Sequence, residues 1–281
     1  MPFSLYDPHA DAIVPFTAEE PPALRLAATT GPEGLAELRQ QVLEDVLTRQ
    51  LTFHANEPGG ALKAALVRFT ADALHDAYAP ESLRYFLTSV HYREPLALVP
   101  GDAADPVAES ERQLAYIYAT RRRLLELPRD RIVPVQTQPA DMLAGFSDAL
   151  SRALDHDLDT PRALAEAHTF LIAVNALCDS VMRKGGRANA SAVDSARAGV
   201  SSLLGSLGIG AEDPQGFLVR LRNRRAQARG IDVAAVDARV AQRADARAAR
   251  DFSAADRIQD ALIAQGVRLL DGLENNTWTL D

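Results

Sequence analysis

Two alanine-rich runs, residues 108–125 and 141–181, repeat apolar side chains at helical spacing over lengths that no strand reaches. They constrain this chain more than any other feature, because long amphipathic helices hide an apolar stripe most readily against one another. Between the runs lies a proline-containing loop, LPRDRIVPVQTQPAD. RKGGRANASA at 183–192 reads as a polar linker, and a helix over 193–208 closes the set before GIGAEDPQG breaks the pattern. The expectation is a mainly α chain organised as a helical bundle. Within the second run, Asp155, Asp157 and Asp159 precede Thr160-Pro161, a pair suited to starting a helix over 161–178. Three carboxylates so close could ligate Mg²⁺ or Ca²⁺. With no glycine-containing calcium loop around them, a capped helix start with solvated charges is the favoured reading.

Residues 1–60 are less regular. LYDPHADAIVPF alternates apolar and polar residues and reads as a strand or extended arm, and PPALRLAATTG reads as a short strand running into a glycine turn. A helix is predicted over 33–49 from the spacing of Leu35, Leu38, Val42, Leu43, Val46 and Leu47, and NEPGG at 56–60 breaks it. Over 61–95 the spacing predicts two helices split at Ala79-Pro80, since proline suits the first turn of a helix and not its middle.

Toward the C-terminus the pattern changes again. Helices over 232–250 and 253–265 lead into Gly266, an apolar strand VRLL at 267–270, an Asn-rich turn and the sole tryptophan, Trp278, which together make a small α+β module. Val236, Val240, Ile258 and Leu262 fall on apolar faces, and arginines at 239, 243, 247 and 250 recur at i+4 and i+3 so as to line one face. Charge is segregated in the same way. From residue 218 onward there are 11 arginines against 9 acidic residues, whereas the first 217 residues carry 19 basic and 29 acidic groups. Only the last part is suited to phosphate. The overall charge of −8 argues against a sequence-indifferent nucleic-acid binder, and DNA is not an expected partner; it does not exclude a protein that reads splayed bases by stacking and hydrogen bonding. Phe252 and Trp278 are either core aromatics or stacking surfaces. At the end of the chain, after an Asn-Asn turn, Trp278 is not expected to be deeply buried without a partner.

Motifs that would carry chemistry are incomplete along this sequence. A strand, a glycine turn and a helix could cradle phosphate, yet TTGPEG at 29–34 has neither G-x-G-x-x-G nor a Walker lysine, and Glu33 puts negative charge where phosphate would sit. The six histidines, at 9, 54, 75, 91, 156 and 168, form no H-x3-H or H-E-x2-H pair, and no serine stands in G-x-S-x-G. His91, in an HYR cluster, reads as a hydrogen-bonded residue at a helix junction rather than a general base. Cys178 reads as a buried thiol with no second cysteine for a disulfide or a zinc site. No run of 18 apolar residues and no signal-like N-terminus is found, so a cytoplasmic location without membrane contact is expected.

Three stretches resemble cysteinyl-tRNA synthetases. The spacing Arg247-x4-Phe252-x3-Asp256, followed by Leu270-Asp271-x6-Trp278, is similar to their C-terminal anticodon-binding domain. Residues 81–96, with Leu83, Arg84, Phe86, Leu87, Ser89, His91, Tyr92, Arg93, Pro95 and Leu96, resemble the family segment DxLRxFLLSxHYRSPL, and Asp155 to Pro161 resembles its DDDFNTP turn. Departures fall where the family does its chemistry. Thr30 stands at the position of a cysteine zinc ligand, Gly31, Pro32, Glu33 and Gly34 are nearest to the HIGH motif without a histidine, and GALKA at 60–64 replaces KMSKS with the single Lys63. The likeness passes at 56–60 from the first helix directly to the KMSKS region, leaving most of the nucleotide-binding fold without a counterpart.

The resemblance implies a degenerate remnant of the catalytic domain at 1–59, a stem-contact-like region at 60–100, a bundle of the class I synthetase anticodon-binding type at 101–215 and an anticodon-binding-like module at 216–281. It implies contact of Arg247, Asp256 and Asp271 with anticodon bases and of Phe252 and Trp278 with stacked bases. No catalytic, cofactor or metal residues are assigned. The expected function is binding of tRNA, tRNA-Cys or Cys-tRNA-Cys, for delivery or regulation. Alternatives are a scaffold docking on a synthetase or a Cys-tRNA-using biosynthetic enzyme, and a repurposed cysteine-using ligase.

Overall fold

The computed structural model describes residues 4–7, 12–15, 26–54, 78–99, 105–134, 141–270 and 277–280. The chain is mainly α, and its contacts divide it into two compact units, Met1–Pro214 and Gln215–Asp281.

In the first unit, β1 (Ser4–Asp7) and β2 (Ala12–Pro15) form an antiparallel hairpin from the stretch that alternates in sequence. β3 (Thr29–Thr30) runs into the turn at Gly31–Gly34 and then α1 (Leu35–His54), whose six predicted apolar positions are all buried. α2 (Pro80–Thr88) begins on the proline, as the sequence predicts; the preceding helix predicted over 61–79 lies almost wholly outside the described residues. α2 is followed by β4 (Leu96–Ala97), parallel to β3. Leu35, Leu38 and Val42 of α1 pack with Leu83, Phe86 and Leu87 of α2 and with Leu96, Leu98 and Val107 in one core cluster.

The bundle continues with α3 (Pro106–Leu125), capped by Asp105, whose carboxylate accepts from the amides of Val107 and Ala108. The run at 141–181, read as helical with a start at Thr160-Pro161 inside it, holds three helices: α4 (Asp141–Ala144), α5 (Phe146–Asp155) and α6 (Thr160–Met182). Gly145 interrupts it once, and the consecutive left-handed residues Asp157 (φ 59°) and Leu158 (φ 49°) reverse the chain before Thr160-Pro161 restart it. The linker at 183–192 also gains structure, since β6 (Ala188–Asn189) pairs in parallel with β5 (Ile132–Val133), and Asn189 caps α7 (Ala190–Leu207).

Phe146 and Phe170 stack at 4.0 Å between centroids, and α7 fits over them only through Gly199, where a Cβ would stand 2.5 Å from the Phe170 ring. By length and composition α6 could cross a bilayer, as a core helix can; here Phe170, Leu171, Val174, Cys178 and Val181 are buried in the unit.

Buried cations tie these helices together, a feature the periodicity does not reveal. Arg39, fully buried on the apolar face of α1, donates to Thr29 Oγ1 (3.1 Å) and to the carbonyls of Ala27, His91 and Glu94 (3.4, 2.9 and 2.8 Å), clamping β3 to the loop after α2. Arg84 donates to the Leu207 carbonyl (2.6 Å) and pairs with Asp45, and Arg49 bonds both Asp45 (2.8 Å) and the Gly205 carbonyl (3.2 Å). Two cations therefore meet the orphan carbonyls at the end of α7, where the helix dipole favours them. Gly208, left-handed at φ 64°, caps that end.

In the second unit, α8 (Pro214–Ala228, all but its first residue), α9 (Val233–Ala248) and α10 (Phe252–Ile263) precede a hairpin of β7 (Val267–Leu270) and β8 (Thr277–Leu280). The pairing is antiparallel, with Val267 opposite Leu280 and Leu269 opposite Trp278. Ala226, Val236, Val240, Leu262, Val267, Trp278 and Leu280 form its core, with Ile258 packed alongside.

Candidate nucleic-acid interface

The corner between α9 and α10 is built by a helix end and a helix start four residues apart. α9 opens on Asp232, whose carboxylate accepts from the amides of Ala234 (2.9 Å) and Ala235 (3.3 Å). It closes with Arg250 in the left-handed region at φ 61°, where the Asp251 amide reaches back to the Ala246 carbonyl (2.9 Å). Asp251 then caps α10, accepting from the Ala254 amide (3.0 Å) and the Ser253 hydroxyl (3.1 Å). These bonds, the backbone amide first, hold its carboxyl below the usual carboxylate range.

This corner presents three of the predicted residues. Arg247 is exposed in the last turn of α9. Phe252 is the first residue of α10 and remains 61% exposed, and Asp256, one turn further on, is exposed on the same helix face. Ala255 and Leu262 are the α10 residues turned into the core. Asp271 lies outside the described residues.

Trp278 is placed otherwise than the sequence led us to expect. It is 3% exposed, inside the core of the unit, and offers no stacking surface. Hairpin pairing puts Trp278 and Leu280 on one face, and the polar edge of the indole is satisfied internally, Nε1 donating to Asp237 Oδ1 at 2.6 Å. The Arg222 guanidinium lies 4.5 Å from the ring centroid. The alternation of Trp278 and Leu280 about Thr279 was the available signal for burial. The arginine row is also not a single exposed face. Arg243 is 5% exposed and donates to Gln259 Oε1 (2.8 Å), and Arg250 stands beyond the end of α9, leaving Arg239 and Arg247 exposed on the helix.

In the first unit, the positions nearest to the family's chemistry form a tight turn. Thr30 and Glu33 are exposed, and a Cβ on Gly31 would stand 2.8 Å from the Leu98 carbonyl, so that glycine answers to backbone packing. Residues 60–64, with Lys63, lie outside the described residues. Among the described residues no group of three or more His, Cys, Asp or Glu side chains could hold a metal ion. Cys178 is buried, and desolvation raises its pKa, the opposite of what a reactive thiol needs.

The acidic turn at 155–159 is not a set of solvated charges. Asp159 does cap α6, accepting from the Arg162 amide (3.0 Å), but Asp155 and Asp157 are 4% and 1% exposed. Asp155 accepts from Gln50 (2.7 Å), and Asp157 from the Tyr92 hydroxyl (2.5 Å) while pairing with Arg93 (2.6 Å). Both are buried because the turn is a docking point for α1 and for the loop after α2. His91 joins them, Nε2 donating to the Asp157 carbonyl (3.1 Å) while Nδ1 accepts from the Arg93 amide (3.3 Å). A ring protonated on Nε2 alone satisfies both contacts, as suits a residue holding a helix junction.

No protein-family model matches the chain. It is 37% identical over 213 residues to a cysteine–tRNA ligase of Anaeromyxobacter sp. (strain Fw109-5), an alignment covering 76% of this chain and 42% of that protein. It is 30% identical over 209 residues to the cysteine–tRNA ligase of Desulfovibrio desulfuricans (73% and 42%), and 30% identical over 210 residues to that of Geobacter metallireducens (75% and 43%). The chain spans about two fifths of the length of the curated relatives it matches. Over about three quarters of its own length, therefore, this chain is a homologue of the cysteine–tRNA ligases.

Proposed function

We propose that the protein binds tRNA, tRNA-Cys or Cys-tRNA-Cys by its likeness to the cysteine–tRNA ligases, for delivery or regulation, and that it does not activate cysteine. One observation carries this reading: Phe252, 61% exposed, shares a helix face with exposed Asp256 and stands across a tight corner from exposed Arg247. An exposed aromatic face takes an unpaired base by stacking, a carboxylate accepts from base amino groups, and an arginine bonds phosphate or a base edge. The corner also lies in the stretch from residue 218 onward, whose charge balance is positive. Against catalysis stand Glu33 beside the glycine turn and the absence from the sequence there of a histidine.

The test is a mobility-shift titration of the full chain with total tRNA, the bound species being sequenced. tRNA-Cys should be enriched, Phe252→Ala should weaken binding by about tenfold or more, and Asp256→Ala should relax the preference among tRNAs. A parent protein without preference for tRNA-Cys, or a Phe252→Ala variant that binds as the parent does, would replace this reading with a protein-docking role.

A further inference from the structure

Between Asp213 and Asp232 the sequence contains no carboxylate and five arginines, at 220, 222, 224, 225 and 229. α8 spans most of this carboxylate-free stretch, and its arginines sort by face. Arg222 lies over the Trp278 ring and 3.8 Å from Asp237, and Arg225 donates to the Leu280 carbonyl (3.2 Å), so both serve the core side of the unit.

The other side of the helix carries Arg220, Asn223, Arg224 and Gln227, at i, i+3, i+4 and i+7, all exposed. Asn223 turns its carbonyl oxygen to Arg222 Nε and Nη2 (both 3.2 Å), which leaves the amide nitrogen as the end directed elsewhere. The face is thus a row of N–H donors about 10 Å long. The helix itself contributes no carboxylate to this face, and among the described residues no exposed large apolar side chain lies on it.

We propose that this outer face of α8 is a track for nucleic-acid phosphates, positioning an RNA backbone without reading its bases. The inference rests on the RNA-binding reading given above and adds a second, sequence-independent element to it. An acidic peptide fits less well, because such partners gain their affinity by burying apolar anchors and this face offers none to bury against. Phosphate contacts need only donors and positive charge, and they release counterions, so their signature is salt dependence rather than base preference.

The experiment measures binding of the full chain to tRNA-Cys, to an unrelated tRNA and to a single-stranded poly-U oligonucleotide across a KCl series. The variants are Arg220→Gln/Arg224→Gln, Phe252→Ala, and a charge-matched control, Arg112→Gln/Arg162→Gln, in the first unit. Arg220→Gln/Arg224→Gln should lose affinity by a similar several-fold factor for every RNA and make the slope of log K against log[KCl] shallower by about 1.5. Phe252→Ala should keep the slope, and the control should match the parent. Unchanged affinity and slope in Arg220→Gln/Arg224→Gln while the parent binds tRNA would overturn the track and leave the tRNA reading standing, and so would an equal loss in the control. A parent that binds poly-U through these arginines but shows no tRNA-Cys preference would keep the track and overturn the tRNA assignment. Binding to none of the three would overturn both.

Discussion

Replacing Trp278 tests the placement of the aromatic groups most directly, because its burial converts an expected binding defect into a folding defect. Truncating a buried tryptophan to alanine costs about 3–5 kcal/mol. Asp237, the partner of Nε1, is 53% exposed and turns to water when the indole is removed, so the broken hydrogen bond adds little. Arg222 loses the ring beneath it, a contact worth roughly 0.5–2 kcal/mol. Against this, a unit the size of Gln215–Asp281 has a stability of roughly 3–10 kcal/mol at the usual value per residue. Trp278→Ala should therefore leave that unit close to unfolding, and Trp278→Phe, which keeps most of the apolar ring, should cost far less. Amide hydrogen exchange by mass spectrometry over α9 and α10 reads this out: protection should collapse in Trp278→Ala, survive in Trp278→Phe, and remain at the parent level in Phe252→Ala. A Trp278→Ala protein that keeps full protection while losing tRNA affinity tenfold would refute the argument and return Trp278 to the binding surface.

Cysteine-dependent ATP–pyrophosphate exchange should be absent from the purified protein, since Gly31–Gly34 supplies no histidine and Glu33 opposes phosphate charge; exchange above background would disprove this. Gly208→Ala should destabilise the first unit by about 2 kcal/mol or more, because φ is 64° and the new Cβ would stand 2.5 Å from Arg84 Nη2, moving the clamp on α7; the urea midpoint measures it. Burial, with Glu109 adding to it, pushes the Tyr85 phenol up to about 12. The folded state thus holds that proton more tightly, stability is full below the ordinary tyrosine value and falls as pH rises through about 12, and Tyr85→Phe should remove that part of the alkaline loss. Asp251 works in the opposite direction: its lowered pKa gives stability that is present above the ordinary carboxylate value and lost as pH falls through the folded one, and Asp251→Asn, which still caps, should flatten the acid limb of α10 melting.

Much of the fold was legible because it is local. Helical spacing located α1, α3, α7, α9 and α10, Pro80 marked the start of α2, and Thr160-Pro161 after an aspartate marked the start of α6, since periodicity, proline and caps act within one or two turns of chain. The corner bearing Arg247, Phe252 and Asp256 was legible for the same reason: two of its residues are one helical turn apart and the third precedes the cap. Depth of burial was not local. Arg39 occupies an apolar-face position on α1 and is buried only because four acceptors, from β3, from Ala27 just before it and from the loop after α2, converge on it. Asp155 and Asp157 look like solvated cap charges until α1 and Tyr92-Arg93 close over them, and Arg243 belongs to an arginine row until Gln259 draws it inward. Trp278 shows the division most clearly: the sequence determined the strand at 267–270 and an aromatic after an Asn-rich turn, and the antiparallel pairing of Trp278 with Leu269, with Asp237 at the indole nitrogen, decided that the ring belongs to the core.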